Sequence, residues 1–313
     1  MDRAKVRRID PFFPYSVGGP QMSQISETVL VTGASGQLGR LVLEELLKKG
    51  HKNIIATTRK PESLDDFSKR GVIVRSASFG DPKGLAKAFE GADRVLLIST
   101  DNIGNRIQEH GNAVDAAVQA GVKRILYTSM IDPDHAPVTF AFEHAGTEEK
   151  IRKSGLHYTI LRNGLYSDYL IPKLQHAAAS GTLAGSGGEG ACSYVTRLDC
   201  AKAAASALVA PSSGNLVLDI TGPKAWTYSE LAKLTGELTH KNVSYLDLPA
   251  EELSKGLVGV GIPKPMADAL ASFDVSIREG YMKGVSTSVK DLTGEEPEDA
   301  KGYLEKNKSL LLS

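Results

Sequence analysis

Three glycines, Gly33, Gly36 and Gly39, recur at every third position in "VTGASGQLG", between an apolar run and a helical one. That spacing suits a pyrophosphate. The first glycine permits a tight turn, the second lets the backbone approach the phosphates without a Cβ in the way, and the third lets the helix pack closely on the strand. The N–H groups of the helix N-terminus then face the anion. Gly33, Ser35, Gly36, Gln37, Leu38 and Gly39 are therefore candidate cofactor contacts. A second group lies in "LRNGLYSDY", where the Asn163 amide could fix a carbonyl and Tyr166, three residues on, could stack on a bound ligand. A third is His144 with Glu148, four residues apart on one helical face, where His144 could donate a proton or a hydrogen bond. Each has a plainer reading: Asn163 serving its own turn, Tyr166 closing the core, His144 packed against Glu148 or solvent.

These residues need a scaffold, and the chain supplies a regular one. Short apolar runs at Val29–Thr32, Asn53–Thr58, Val72–Ala77, Arg94–Ser99, Lys123–Ser129 and His157–Leu161 read as strands. The first and fourth are nearly continuous, as expected when a strand is covered on both faces. Helical patterns lie between them. Gln37–Lys49 places Leu38, Leu41, Val42 and Leu46 on one stripe and stops at Gly50; Asn105–Ala120 places Ile107, Val114 and Val118 on one face and stops at Gly121. Strand and helix in strict alternation predict an α/β fold with a Rossmann-type, doubly wound parallel sheet. The expected division is an N-terminal extension over 1–27, a dinucleotide-binding core over 28–165, and a smaller mixed α/β lobe over 166–313 that returns to the main sheet. In that lobe Gly181–Val195 reads as a hairpin or loop, Arg197–Ala210 as a helix, and Leu216–Leu218 and Val243–Leu248 as further strands of the sheet. Thr227 with Glu230 three residues later is a capping box. Helical stretches follow near Glu251–Val258 and Lys264–Glu279. Arg197 and Asp199 read as a pair tying the lobes together, and Trp226 as an anchor for a strand–helix turn.

The end of the second strand bears on which dinucleotide is bound. A carboxylate there would hold a ribose 2′-hydroxyl and repel a 2′-phosphate. Instead the chain has Thr58, Arg59 and Lys60, a hydroxyl and two cations. The arginine fork suits a phosphate, so the reading is NADP(H); the alternative is a pair of solvated loop charges. Phe79, after the third strand, could cover the adenine or simply pack. Ser99 and Thr100 end the fourth strand and Thr128 and Ser129 the fifth, where hydroxyls can serve the ribose or nicotinamide.

Bulk properties exclude several classes. Of 313 residues, 41% are hydrophobic, enough for a sizeable core. Lys+Arg and Asp+Glu both number 37, which argues against a nucleic-acid-binding protein. No apolar run is long enough to span a membrane. Cys192 and Cys200 fit no metal spacing and no C-x-x-C motif, so they read as reduced, buried thiols of a cytoplasmic protein. The first 27 residues carry Pro11, Pro14, Pro20, Gly18 and Gly19 without periodicity and read as a disordered extension. Their early basic cluster also raises a transit peptide, though Asp2 and Asp10 dilute the charge.

The chain resembles the NmrA-like atypical short-chain dehydrogenases, and among them the group of type 2 quinone oxidoreductases and triphenylmethane reductases. The resemblance rests on "VTGASGQLG", "AGVKRILYTS", "EHAGTEEKIRKSGLHYTILRNGLYSDYL", "SYVTRLDCAKAAA" and "AWTYSELA". It implies an NADPH-dependent reductase of quinones or similar flat acceptors, without flavin or metal, and strengthens the reading of Asn163 at the reacting end, beside the candidates His144 and Tyr166. The assembly it implies is a monomer or a homodimer. The wider superfamily's Tyr-x-x-x-Lys is missing after Ser129; the corresponding helix carries His144 and Glu148. That removes the usual alcohol–ketone machinery, but a quinone needs less help, because the anion left by hydride arrival is delocalised and water can protonate it. Two other readings stand beside this one: a reductase of another conjugated acceptor, such as a triarylmethane dye, an enal or a diketone, and a non-catalytic sensor of NADP(H).

Overall fold

The computed structural model describes residues 26–211 and 214–312, so most of the N-terminal extension lies outside the described residues. The first half runs β1 (Val29–Val31), α1 (Gln37–Lys48), β2 (Ile54–Thr58), α2 (Asp65–Ser68), β3 (Ile73–Ser76), α3 (Pro82–Phe89), β4 (Arg94–Leu97), α4 (Arg106–Gln119), β5 (Arg124–Met130), α5 (Ala141–Lys153) and β6 (His157–Asn163). The second continues with α6 (Leu170–Ser180), β7 (Thr182–Gly185), β8 (Ala191–Cys192), α7 (Arg197–Val209), β9 (Leu216–Ile220), β10 (Trp226–Thr227), α8 (Tyr228–Thr239) and β11 (Ser244–Asp247). It closes with α9 (Ala250–Gly259), α10 (Lys264–Arg278), α11 (Ser288–Thr293) and α12 (Ala300–Lys306).

Among the described residues, seven strands form one parallel sheet in the order β3-β2-β1-β4-β5-β6-β9. Side chains alternate between its two faces, as the period of two requires. Val29, Val31, Leu96, Leu126 and Leu161 pack under α1 and α7, while Leu30, Val95, Ile125, Tyr127 and Ile160 face α3, α4 and α5. Both faces are covered, which is why the strands read as unbroken apolar runs. The strand order reverses between β1 and β4, opening a crevice at the carboxyl ends of the strands. A third core beyond β6 gathers Leu174, Tyr194, Trp226, Leu231 and Leu304 beneath α6, α8 and α12.

Four expectations need correction. Gly181–Val195 is no hairpin: β7 pairs in parallel with β11, and β8 pairs antiparallel with β10. For the same reason the strand expected at Val243–Leu248 does not extend the main sheet, whereas β9 does. Arg197 does not pair with Asp199; it forms an ion pair with Asp168, while Asp199 accepts from the Thr196 hydroxyl and the Glu298 N–H. Finally, α4 buries Val114 as expected but leaves Ile107 and Val118 exposed. Ile107 is 48% exposed, and the buried side consists of Arg106, His110, Ala113, Val114, Ala116 and Ala117. Polar residues occupy a core-facing stripe there because they bond one another, as described below. The capping box at Thr227 and Glu230 forms as read, and the Trp226 indole N–H donates to Asp299 at 2.8 Å.

Candidate active site

The glycine turn joins β1 to α1. Gly33 has φ +58°, in the left-handed region that favours glycine. A Cβ on Gly39 would stand 2.5 Å from the Gly33 carbonyl oxygen and 2.7 Å from Ala34 Cα, so the close strand–helix approach depends on its absence. Gly36 caps α1 without any side-chain bond to the first turn, and that turn holds no acidic residue. The N–H groups there are thus free for an external anion. Ser35, Gly36 and Gln37 are exposed beside them, while Leu38 turns into the core.

Two loops are braced together at this edge. The Ser35 and Thr58 hydroxyls lie 2.8 Å apart, and Thr58 also accepts from the Lys60 N–H at 3.1 Å. Thr58 therefore holds the shape of the loop after β2. Arg59 and Lys60 are exposed beside it, and neither forms an ion pair among the described residues. Nearby Arg40, by contrast, is committed to Asp66 and the Ser63 carbonyl. Free N–H donors and two unpaired cations, with no carboxylate at the end of β2, fit a 2′-phosphorylated adenine dinucleotide. Phe79 leans edgewise on His110 at 6.1 Å, and its carbonyl accepts from Asn112.

The strand-end hydroxyls divide by role. Thr128 accepts from the Ser99 N–H at 2.9 Å, holding the ends of β4 and β5 in register. Thr100 is spent on α4: its N–H donates to His110 Nε2, its hydroxyl to Glu109, and its carbonyl accepts from Arg106 Nε. Ser129 donates to Glu148 at 2.7 Å. That carboxylate, fully buried, also accepts from Arg152 and, through both oxygens, from Arg162. Glu148 is a satisfied structural hub, and among the described residues its carboxylate forms no hydrogen bond with His144.

At the end of β6, Asn163 donates to the Tyr166 hydroxyl at 3.2 Å. The Asn163 carbonyl oxygen is buried and has no partner among the described residues, and neither has the Ser167 hydroxyl. A buried acceptor without a partner calls for a donor from outside the protein. The Tyr166 and Tyr169 rings stack at 6.0 Å, with the Arg197 guanidinium 4.9 Å from the Tyr166 centroid. Burial, chiefly, raises the Tyr166 phenol above its ordinary pKa, so it stays protonated at neutral pH. Its proton remains available for donation, because the bond with Asn163 uses the tyrosine oxygen as acceptor.

His144 sits differently from either sequence reading. It is 5% exposed, and both ring nitrogens are engaged inside the protein. Arg106 Nη1 lies 3.2 Å from Nε2 and can only donate, so Nε2 is the acceptor and Nδ1 carries the proton toward Tyr127 at 2.8 Å. His110 follows the same logic: Nε2 accepts from the Thr100 N–H, and Nδ1 donates to Thr147 at 3.0 Å. Thr147 in turn donates to the Glu143 carbonyl. Burial, aided by the Arg106 charge, lowers both imidazoles to about 3. Two neutral histidines thus form a directed network linking α4, β5 and α5, and its outer end is Arg106.

Arg106 was not singled out in the sequence. It is 8% exposed, anchored by the Thr100 carbonyl and His144, with its guanidinium 4.8 Å from the Phe140 centroid. The signal that could have found it is the spacing Arg106, His110, Ala113, Val114, Ala117: one helical stripe in which polar and small residues alternate with no space for solvent.

The NmrA-like family model matches residues 25–304. Quinone oxidoreductase 2 of Escherichia coli (strain K12) is 36% identical over 267 residues, covering 85% of this chain and 93% of that protein. The crystal structure of an NADPH-dependent quinone oxidoreductase from Escherichia coli complexed with NADPH superposes with a TM-score of 0.86 at 34% identity, covering 91% of this chain and all of that one (100%). The Citrobacter sp. triphenylmethane reductase complexed with NADP(H) superposes with a TM-score of 0.84 at 34% identity, covering 89% of this chain and 99% of that one.

Proposed function

The chain belongs to the NmrA-like family, and from that premise we propose that it is an NADPH-dependent reductase delivering hydride to a quinone or a similar flat conjugated acceptor. The observation that carries the cofactor choice is the pair of unpaired cations, Arg59 and Lys60, beside the open N-terminus of α1. The free N–H groups of α1 hold the pyrophosphate, Arg59 and Lys60 hold the 2′-phosphate, and the loop braced by Ser35 and Thr58 holds their spacing. Thr128 and Ser99 keep the ends of β4 and β5 together at the edge where the nicotinamide would be held. Bound there, the reduced nicotinamide supplies a hydride.

Asn163 and Tyr166 orient the flat partner: the orphaned Asn163 oxygen accepts from an amide or hydroxyl, and Tyr166 offers both a ring and a proton. His144 positions Arg106 rather than donating a proton itself. The likeness to a triphenylmethane reductase and the stacked Tyr166–Tyr169 rings also suit a flat aromatic dye as acceptor. Residence in the cytoplasm is part of the same reading and agrees with the free thiols of Cys192 and Cys200. The choice between monomer and homodimer is read directly by light scattering.

The test follows NADPH and NADH oxidation against a panel of quinones. The wild type consumes NADPH in the presence of a quinone. Arg59→Ala raises KM for NADPH about tenfold or more, the scale of losing a hydrogen bond to a charged group, and leaves NADH nearly unchanged. Equal effects on both cofactors would contradict the phosphate assignment.

A further inference from the structure

We propose that Arg106 is the electrophilic residue of the acceptor site, holding the acceptor's carbonyl oxygen as it becomes an oxyanion. This rests on the reductase reading above.

Arg106 is a nearly buried guanidinium whose hydrogen bonds leave one edge over. Nε donates to the Thr100 carbonyl at 2.7 Å and Nη1 to His144 at 3.2 Å, while Phe140 covers one face. Nη2 makes no hydrogen bond among the described residues. Thr100 lies just past the carboxyl end of β4, so the guanidinium stands on the edge of the sheet where the crevice opens. Tyr169, 58% exposed, lies within electrostatic range of Arg106 and stacks on Tyr166, which bonds Asn163. Tyr169, Tyr166 and Asn163 therefore form one wall, joined by stacking and a hydrogen bond, within reach of the Arg106 charge.

The cations beside this wall are not equivalent. Arg197, over the two tyrosine rings, is neutralised by Asp168. Arg106 forms no ion pair among the described residues. The buried Glu143 carboxylate, whose charge Arg106 feels, accepts from the Gly104 N–H and leaves its second oxygen unbonded rather than closing on the guanidinium. A cation with its orientation locked by a backbone carbonyl and a neutral imidazole, and with donor capacity remaining, is preorganised for a charge that appears only during reaction.

The chemistry requires such a group. When a quinone receives a hydride, it gains two electrons and one hydrogen, and the negative charge settles on a carbonyl oxygen; a proton from water then completes the hydroquinone. The reduced nicotinamide is the species oxidised. Arg106 stabilises the oxyanion before the proton arrives. A cationic triarylmethane dye differs: hydride addition to its central carbon gives a neutral product, and no oxyanion forms.

Three measurements test the assignment. Arg106→Gln lowers kcat/KM for a 1,4-naphthoquinone roughly a hundredfold, the scale of removing one oxyanion donor, while reduction of a cationic triarylmethane dye stays within about twofold or improves. Without any turnover, 4-nitrophenol titrated by absorbance on wild-type protein ionises at lower pH than free in solution, and Arg106→Gln abolishes that shift. On wild-type protein alone, 4-nitrophenolate binds at least about tenfold more tightly than neutral 4-nitroanisole, which keeps the proposal testable should the variant not fold. Parallel loss of quinone and dye reduction, an unshifted nitrophenol, or equal affinity for the anisole would each overturn it. If the wild type oxidises NADPH with neither acceptor, the reductase reading fails, and the nitrophenol titration still decides whether Arg106 forms an anion site.

Discussion

Arg106, His110 and His144 show how a hydrogen-bond network assigns roles that residue type alone leaves open. Histidine suggests a proton donor because its ordinary pKa lies near neutrality. Here every ring nitrogen has a partner inside the protein, and burial keeps both rings neutral. The consequence is a pH dependence of stability rather than of proton transfer. Both imidazoles titrate at about 3 when folded and near 6.5 when unfolded. Between those values the unfolded chain binds protons that the folded chain refuses. Their contribution is therefore complete above pH 6.5 and declines as pH falls toward 3, by at most about 1.4 kcal/mol per pH unit for each ring. Urea unfolding at pH 7 and pH 5 should show that loss, and the double variant His110→Asn, His144→Gln should show a shallower one. An unchanged slope would remove the imidazoles as its cause.

Elements contribute through how closely they approach. The β1–α1 turn works as an anion site only because α1 starts hard against the strand it follows, and Gly39 permits that contact. Gly39→Ala should destabilise the fold by about 1–3 kcal/mol in chemical denaturation, since the atoms a Cβ meets are backbone and cannot turn aside. Gly36→Ala should be far milder for stability, because the Gly33 carbonyl oxygen lies 3.2 Å away, while weakening NADPH binding at the exposed N-terminus. Equal destabilisation by the two would place the close contact elsewhere. Helix α4 makes the opposite point. Its apolar residues suggested one buried face, and the fold buried Val114 but left Ile107 and Val118 exposed, because Arg106 and His110 find partners on β5 and α5 that local pattern does not record.

On the scale of the whole molecule, the second half of the chain is built into the first. β9 pairs with β6, and α7 packs against α1 beneath the sheet. Asp199 accepts from the Glu298 N–H, and Lys202 pairs with Glu295 at 2.6 Å. In the outer core, Asp274 accepts from Tyr228, Lys173 and the Ser186 N–H, joining α6, α8, α10 and the loop after β7. Interlocked this way, the chain should unfold in a single transition, with far-ultraviolet dichroism and Trp226 fluorescence superposing across a denaturant titration. Two separated midpoints would show that the halves are independent.

The sequence by itself determined the alternating strands and helices, the glycine turn, the cations after β2 and the capping box at Thr227, because each is a local pattern acting over a few residues. It also carried the family resemblance, through "LRNGLYSDY" above all. The tertiary structure alone decided that β7 and β8 would take different partners, that His144 would face inward, and that Arg106 would keep a free edge. Those outcomes depend on which distant groups satisfy a buried donor or acceptor. Spacing along the chain carries no information about partners that only the closing of the sheet brings within hydrogen-bonding distance.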